Sequence, residues 1–280
     1  MREINTSQII NAISRLCIAA NCELNADIKC GIEEALAAET GSTGKNVLES
    51  LLKNAQIAND EQLPICQDTG MATIFLNIGQ SVSIVGGSLE DAVNEGVRRG
   101  YKEGYLRKSV VRDPLRRENT GDNTPCVLHT QIVPGDKVTV IVAPKGFGSE
   151  NMGGVKMLEP GDGVDGVIAF VVNTVKIAGS NPCPPIVAGV GLGGTMEKAA
   201  LLAKQALLRD IRKSHSDPYY AKLERTLLEK INALGIGPQG LGGKTTALGV
   251  NIEVFPTHIA GLPVAVNLSC HVTRHKTVVI

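Results

Sequence analysis

Residues 183–209 read CPPIVAGVGLGGTMEKAALLAKQALLR, and this stretch decides the class of fold. Its apolar start, 186–190, predicts a short buried strand, and the alanine- and leucine-rich remainder predicts a long helix over about 195–213. Strands and helices that alternate along one chain are typical of α/β or mixed α+β folds. The predicted fold class is therefore α/β, in the broad sense that includes mixed α+β sheets.

The apolar spacing on either side of this stretch also switches between helix and strand. Near the N-terminus it predicts helices over 7–38 and 43–58, which form a helical lobe at about 1–60. A mixed sheet flanked by helices follows, in a single domain over 1–280, and the polar run 107–125 predicts a loop. The other predicted elements are helices over 88–106, 161–178 and 217–233, and strands over 71–78, 81–85, 126–133, 137–143, 247–254 and 263–268.

Two glycine clusters resemble nucleotide-binding motifs. Gly189 to Gly194 matches the pattern G-x-G-x-x-G, but a dinucleotide site also needs a second strand that ends in an acid about 20 residues later. Helix is predicted there instead, so a tight strand-to-helix turn is the better interpretation. A helix N-terminus that binds a carboxylate is a second alternative. In the GGKTT cluster, a phosphate-binding loop would need glycine where Pro238 stands.

Composition excludes several classes of function. The chain has 280 residues with 28 basic and 28 acidic side chains, so a general attraction to nucleic acid is not expected. With no Trp and only four Tyr and four Phe, it also lacks stacking platforms for single strands. The N-terminus has no signal-peptide pattern, and no apolar run reaches membrane-spanning length. We therefore expect a cytoplasmic protein without a membrane partner.

The seven cysteines fall into two groups. An odd number in a cytoplasmic chain argues against a disulfide framework. The first three are spaced C-x4-C-x7-C, which does not match zinc pairs, and Cys126 lies at a predicted strand. These four are interpreted as structural thiols: Cys17, Cys22, Cys30 and Cys126.

The other three cysteines lie in settings without amphipathic periodicity. Cys66 is found in PICQDTG, Cys183 between prolines in NPCPP, and Cys270 in NLSCH. Prolines and polar neighbours favour extended or turning backbone at these positions. The residue types alone leave open whether these thiols are buried apolar groups, a nucleophile or metal ligands.

Several segments together resemble the class I (iron–sulfur) fumarate hydratase family, which includes the tartrate dehydratase α subunit. They occur in the order of the family's N-terminal domain or separate α subunit, over roughly 60–275. A set of motifs is far more specific than one pattern. The segments are PICQDTG, NTGDNTP, PKGFGSEN, the stretch 183–209, GGKTTALGV and PTHIAGLPVAVNLSCH.

The resemblance implies a [4Fe-4S] cluster with Cys66, Cys183 and Cys270 as its three protein ligands. One iron would then have no protein ligand and could act as a Lewis acid. His271 and His275 follow Cys270 closely, but three cysteines already complete the family pattern.

The resemblance also implies roles for other residues. Gln67 and Asp68 follow a ligand directly and are expected to be catalytic, although an Asp in this setting also forms turns. Arg107 is expected to bind a substrate carboxylate, because its planar fork matches that group. His258 is expected to act in both binding and catalysis. Gln67 and the backbone N–H of Gly148 are further candidates for substrate binding.

The expected function is that of the α subunit of a hydro-lyase that interconverts fumarate and (S)-malate. An L-tartrate dehydratase or mesaconate-type hydratase subunit is the alternative, and a non-catalytic iron–sulfur protein is a distant one. The family's single-chain members carry a further C-terminal domain with catalytic residues. We therefore expect a separate β subunit as partner, a dimer of αβ units and a small dicarboxylate as substrate.

Overall fold

The computed structural model describes residues 1–280 and confirms the mixed α/β class. The chain divides into two compact units. The first unit comprises Met1–Leu24, Ala55–Phe147 and Arg274–Ile280, and the second comprises Asn25–Asn54 and Gly148–Thr273. No helix has both the length and the apolar character needed to cross a membrane. The single domain predicted over 1–280 stays a prediction.

The chain has ten strands and eight α-helices, with short 3-10 turns at Pro160–Asp162 and Pro238–Gly240. In chain order they are β1 (Arg2–Asn5), α1 (Thr6–Cys22), α2 (Ala26–Ala38), α3 (Ser42–Glu61), β2 (Met71–Gly79), β3 (Val82–Val85), α4 (Leu89–Glu103), β4 (Val127–Val133), β5 (Val138–Lys145), α5 (Phe147–Glu150), β6 (Gly154–Leu158), α6 (Gly163–Ala178), β7 (Ile186–Gly193), α7 (Met196–Ala206), α8 (Pro218–Asn232), β8 (Ala247–Phe255), β9 (Leu262–Ser269) and β10 (Lys276–Val279).

The first unit is built on a mixed four-stranded sheet in the order β10-β5-β2-β4. Helices α1 and α4 bury apolar stripes in its core, with Ile13 and Val97 fully buried. The two helices cross closely because α4 has glycine where they meet. A Cβ on Gly96 would lie 2.8 Å from the Cβ of Ile13, and one on Gly100 would lie 2.7 Å from the Cβ of Cys17.

The second unit is built on a sheet in the order β6-β9-β7-β8, in which only β7 and β8 are parallel. Because side chains alternate across a strand, Ala188, Val190 and Leu192 share one face of β7 and join the core formed with α6 and α8. The opposite face carries Gly189 and Gly191 and contacts α7. A Cβ on Gly191 would lie 2.0 Å from the carbonyl oxygen of Ala199.

The glycines of the G-x-G pattern therefore serve helix–strand packing. Gly189 and Gly191 lie inside β7 rather than in the predicted turn, which is limited to the residues around Gly194. The helix predicted over 195–213 ends at Ala206. At and beyond its end, the carbonyls of Ala206 and Arg209 accept hydrogen bonds from Nδ2 of the buried Asn251.

The helix predicted over 7–38 is broken. Glu23 has extended backbone, with φ −116° and ψ 113°, and α2 begins at Ala26 after an extended Asn25. The break has a physical reason, because α1 buries Ile9, Ile13 and Cys17 in the core of the first unit, whereas α2 belongs to the second. The apolar spacing runs through the break and so does not reveal it.

Candidate functional site

The Cys66 loop, residues 64–70, connects α3 to β2 in the first unit. Cys66 is partly exposed, and its thiol donates a hydrogen bond to Oε1 of Gln67 at 3.3 Å. The Gln67 side chain is exposed, as a group that binds a ligand from solvent has to be. The predicted cluster ligand Cys66 and the predicted substrate-binding residue Gln67 are therefore adjacent on one loop.

Asp68 uses its carboxylate to shape this loop. Its Oδ1 accepts a hydrogen bond from the Gly70 N–H at 3.0 Å, and its Oδ2 accepts one from the Phe147 N–H at 2.9 Å. The first contact is a local side-chain-to-backbone turn of the kind that Asp favours. Asp68 thus has a turn-forming role in the structure, while its catalytic role stays a prediction.

Buried side chains make hydrogen bonds to the C-terminal end of the Cys66 loop, at Thr69 and Gly70. The hydroxyl of Tyr101, a fully buried residue, lies 2.8 Å from the Thr69 carbonyl oxygen and 2.9 Å from that of Gly70. Nδ2 of the fully buried Asn123 donates to the same Gly70 carbonyl at 3.2 Å. Unmade hydrogen bonds cost about 1–3 kcal/mol each when buried, so these contacts fix the backbone.

Arg107 lies beside the same loop. Oγ1 of Thr69 donates to the Arg107 carbonyl oxygen at 3.0 Å, and the Arg107 side chain is exposed. Asn123 ties the two segments together, because its Oδ1 accepts from the Ser109 N–H at 2.7 Å while its Nδ2 contacts Gly70. The structure therefore brings together Cys66, Gln67, Asp68 and Arg107, which the sequence places about 40 residues apart in two segments.

Asp122 anchors the segment that carries Asn123. Partial burial acts to raise the pKa of Asp122, but hydrogen bonds from Arg98 and Thr124 outweigh it and hold the pKa at about 2, below its ordinary 3.8. The Arg98 contact measures 2.8 Å. A carboxyl whose folded-state pKa is depressed contributes stability above its unfolded-state pKa and loses it as the pH falls.

We therefore expect Asp122→Asn to lower the urea midpoint of unfolding at neutral pH, and the difference from wild type to shrink as the pH falls from about 3.8 to about 2. Urea unfolding across this window measures the effect. Asp165→Asn, which changes an exposed carboxylate, is the matched control. A difference between wild type and Asp122→Asn that is constant with pH would contradict the prediction.

The second unit joins the loops of Cys183 and Cys270. Cys270 follows β9 and Cys183 precedes β7, and these strand ends are neighbours because Val187 pairs with Ser269. His271 makes the link, since its backbone N–H donates to the Cys183 carbonyl at 3.4 Å and its ring Nδ1 lies 3.0 Å from that oxygen. His271 thus acts as a support for the cysteine loop, a role that the sequence does not indicate.

The Cys183 loop has a constrained backbone. Cys183 is exposed and has φ +55°, in the left-handed region that non-glycine residues rarely adopt. Gln239 holds the following residue, because its backbone N–H and its Nε2 donate to the Pro184 carbonyl at 2.7 and 2.8 Å. Strain of this kind is typical of functional sites. Gln239 belongs to the glycine-rich segment 237–243, and this composition is the only feature of the sequence that points to the contact.

Gly148 lies close to the same loop. A Cβ built on it would be 3.7 Å from the Asn181 carbonyl oxygen, and the residue is exposed. Beside it, Glu150 pairs with Lys204 at 2.5 Å and accepts from Nδ2 of Asn267 at 2.9 Å. The structure therefore places Gly148 near Cys183, as a backbone donor at this site would require.

His258 lies at the other end of the sheet. It is exposed in the loop that connects β8 to β9, where its Nδ1 accepts from the Ala260 N–H at 3.2 Å. Strand β7 has eight residues, so about 23 Å separates this end from the end that carries Cys183. The second unit does not bring His258 to Cys183 or Cys270, and its part in catalysis stays a prediction.

The remaining cysteines have different surroundings. Cys17 and Cys22 are fully buried, and burial raises the pKa of both thiols; burial also raises the pKa of Cys126, to about 11. Cys30 is partly exposed, with its sulfur 3.9 Å from Nη1 of Arg212. No cysteine forms a disulfide. Thiols with raised pKa are poor metal ligands, because metals bind the thiolate.

The donor chemistry of the three candidate ligands suits an iron–sulfur cluster. No group of three or more His, Cys, Asp or Glu side chains that could hold a metal ion is found. The thiolates of an iron–sulfur cluster bind different irons, so they need not converge on one point. Cys66, Cys183 and Cys270 all lie on ordered loops outside the apolar cores, where thiolates could act as ligands.

Comparison with known proteins identifies the family. Residues 10–279 match the family model described as Fumarate hydratase (Fumerase). A Methanocaldococcus jannaschii protein, provisionally named as an L(+)-tartrate dehydratase subunit alpha, is 43% identical over 274 residues and 95% of each chain is covered. The L(+)-tartrate dehydratase subunit alpha of Escherichia coli O157:H7 is 32% identical, with 100% of this chain and 94% of that protein covered. The chain therefore belongs to the Fumerase family of hydro-lyases.

Proposed function

We propose that this chain is the α subunit of a hydro-lyase that removes water from a hydroxylated dicarboxylate and holds a [4Fe-4S] cluster through Cys66, Cys183 and Cys270. Membership of the family and the subunit names of the relatives support the reaction class. The observation that carries the cluster assignment is the pairing of the Cys183 and Cys270 loops through His271. When bound, the cluster supplies a Lewis-acidic iron for the substrate hydroxyl and carboxylate.

The chain's own residues would bind and orient the substrate. The exposed guanidinium of Arg107 can hold one carboxylate through paired hydrogen bonds. Gln67 and the Gly148 N–H are donors for the remaining oxygens, on which charge accumulates as the proton leaves the carbon. Asp68, which follows Gln67 in the chain, is a candidate for orienting or activating the acid/base group. Among the predicted site residues, His258 has the least support because it lies far from Cys183.

L(+)-tartrate is the substrate favoured by the comparisons. The relatives described above are named for tartrate, which supports the alternative in the sequence-based prediction better than its preference for fumarate and malate. Fumarate hydration is the second candidate, because the matching family model carries that description. Tartrate and malate, the hydrated form of fumarate, differ by one hydroxyl group, and side chains around the substrate decide between them through hydrogen bonds.

We also propose a separate β subunit as partner, within a dimer of αβ units. The support is that the relatives are named as alpha subunits and match this chain over nearly their whole length. The chain alone is then expected to turn over little or no substrate.

The function is tested with the α chain produced together with its β subunit and loaded with iron and sulfide without oxygen. We expect loss of L(+)-tartrate with formation of oxaloacetate, at a kcat/KM at least about tenfold above that for malate or mesaconate. Faster conversion of malate and fumarate would instead establish the second candidate. A loaded complex that converts no dicarboxylate would exclude a hydro-lyase and favour a non-catalytic iron–sulfur protein.

Within that assay, we expect Arg107→Lys to raise KM for tartrate about tenfold or more, because lysine cannot offer two parallel N–H groups to a carboxylate. Arg99→Lys is the matched control, since Arg99 is an exposed arginine on α4 whose Nε pairs with Glu95 at 2.6 Å. Steady-state kinetics of both variants measure the effect. Equal KM values for the two variants would remove Arg107 from the substrate site.

A further inference from the structure

Arg274 is a buried cation without a carboxylate partner. The residue is 6% exposed, and the one hydrogen bond of its side chain runs from Nη2 to the Asp68 carbonyl oxygen at 2.6 Å. Its Nε and Nη1 are buried and have no acceptor. Burying a charge without a counter-charge costs several kcal/mol, on the order of what a small domain gains from folding. A residue with this cost is expected to serve a purpose other than stability.

With the contact of Arg274, three consecutive backbone carbonyls of the Cys66 loop have a side-chain partner. The carbonyls of Asp68, Thr69 and Gly70 are consecutive, and the first accepts from Arg274 while the other two lie within hydrogen-bond distance of the Tyr101 hydroxyl. The start of the loop is held separately, by the Ile65 N–H that donates to the Asn21 carbonyl at 2.9 Å. Arg274 is the only charged group among these supports.

Gln67 lies directly before the residue that Arg274 contacts. Its side chain is exposed and has one hydrogen bond, from the Cys66 thiol, so the backbone at Asp68 is the nearest fixed point for its amide. The Asp68 carboxylate is already engaged by the N–H groups of Gly70 and Phe147. The backbone carbonyl of Asp68 is therefore the remaining polar group of this residue that can be held in place, and Arg274 donates a hydrogen bond to it.

We propose that Arg274 is a positioning residue for the dicarboxylate-binding loop, a role that rests on the proposed function. Through the Asp68 carbonyl its guanidinium sets the direction of Gln67 toward the substrate. Arg274 itself does not touch the substrate. Lysine would place a more strongly hydrated point charge there and could not keep the planar geometry, so the role requires arginine.

The test compares the loaded αβ complex of wild type with Arg274→Gln and Arg274→Lys. We expect both variants to keep the iron content of wild type, to raise KM for the substrate about tenfold, and to change kcat less than about threefold. Arg2→Gln is the control, because Arg2 also donates to backbone carbonyls of the first unit, those of Asp136 and Ile280, at an exposed position. Activity that falls only in proportion to iron or folded protein would overturn the positioning role.

Hydrogen exchange in the isolated chain separates this proposal from the proposed function. The amides of Gly70 and Phe147 report on the loop, since both donate to the Asp68 carboxylate. Faster exchange confined to these amides in Arg274→Gln supports the positioning role even if wild type converts no dicarboxylate. Faster exchange spread through α1 and β2 would show a general structural role and contradict the proposal.

Discussion

Cys183→Ser is expected to abolish cluster binding and to lower the activity of the αβ complex by more than about 100-fold. Serine is nearly the same size but offers a hydroxyl, which stays protonated and binds iron weakly compared with a thiolate. The substitution leaves the contacts of the Cys183 carbonyl with His271 unchanged. Visible absorbance after anaerobic loading and steady-state activity measure the two effects.

Cys126→Ser is the matched control for that experiment. Burial raises the pKa of Cys126 to about 11, and its backbone N–H donates to Oδ1 of Asn94 at 3.0 Å, so it is a structural thiol. We expect this variant to keep both absorbance and activity. If Cys183→Ser behaved like Cys126→Ser, Cys183 would not be a ligand and the cluster assignment would be wrong.

Gly191→Ala is expected to destabilise the chain by about 3 kcal/mol or more, at the upper end for an overpacked core. The added Cβ would lie 2.0 Å from the Ala199 carbonyl oxygen and 2.6 Å from the Ala203 nitrogen. Both atoms belong to the backbone of α7, so the helix itself would have to move away from β7. Urea unfolding of the two proteins measures the difference.

Gly161→Ala is the control for this prediction. A Cβ at Gly161 would meet no atom within 4 Å, and this glycine does not need a left-handed backbone. Its free energy of unfolding should stay within about 0.5 kcal/mol of wild type. Equal stability of Gly191→Ala and wild type would mean that α7 does not pack on β7 as described.

Much of the fold follows from apolar periodicity. The central strands β2, β7 and β9 and the amphipathic helix α4 have patterns strong enough to predict, because each buries a whole face or stripe. The short strands β1, β6 and β10 were not predicted, since segments of four or five residues show little period, although β3, which is as short as β1, was. The break after Cys22 was also hidden, because the apolar spacing continues through it and tertiary packing ends the helix there.

The site was partly predictable for a similar reason. The unusual backbone settings of Cys66, Cys183 and Cys270 are visible in the sequence, whereas the side chains that support them are not. Tyr101, Gln239 and Arg274 act on backbone carbonyls of distant residues, and carbonyl acceptors leave no sequence pattern. Closeness in sequence also misleads. Only strand β9 separates His258 from Cys270, but this strand runs from one end of the sheet to the other, so the two residues lie at opposite ends.

The iron and sulfide content of the anaerobically loaded α chain tests the central claim most directly. The account predicts about four irons and four sulfides per chain for wild type and for Cys17→Ser, and little of either for Cys66→Ser, Cys183→Ser or Cys270→Ser. A wild-type chain that takes up no iron, or three cysteine variants that retain it as wild type does, would contradict the cluster-based hydro-lyase.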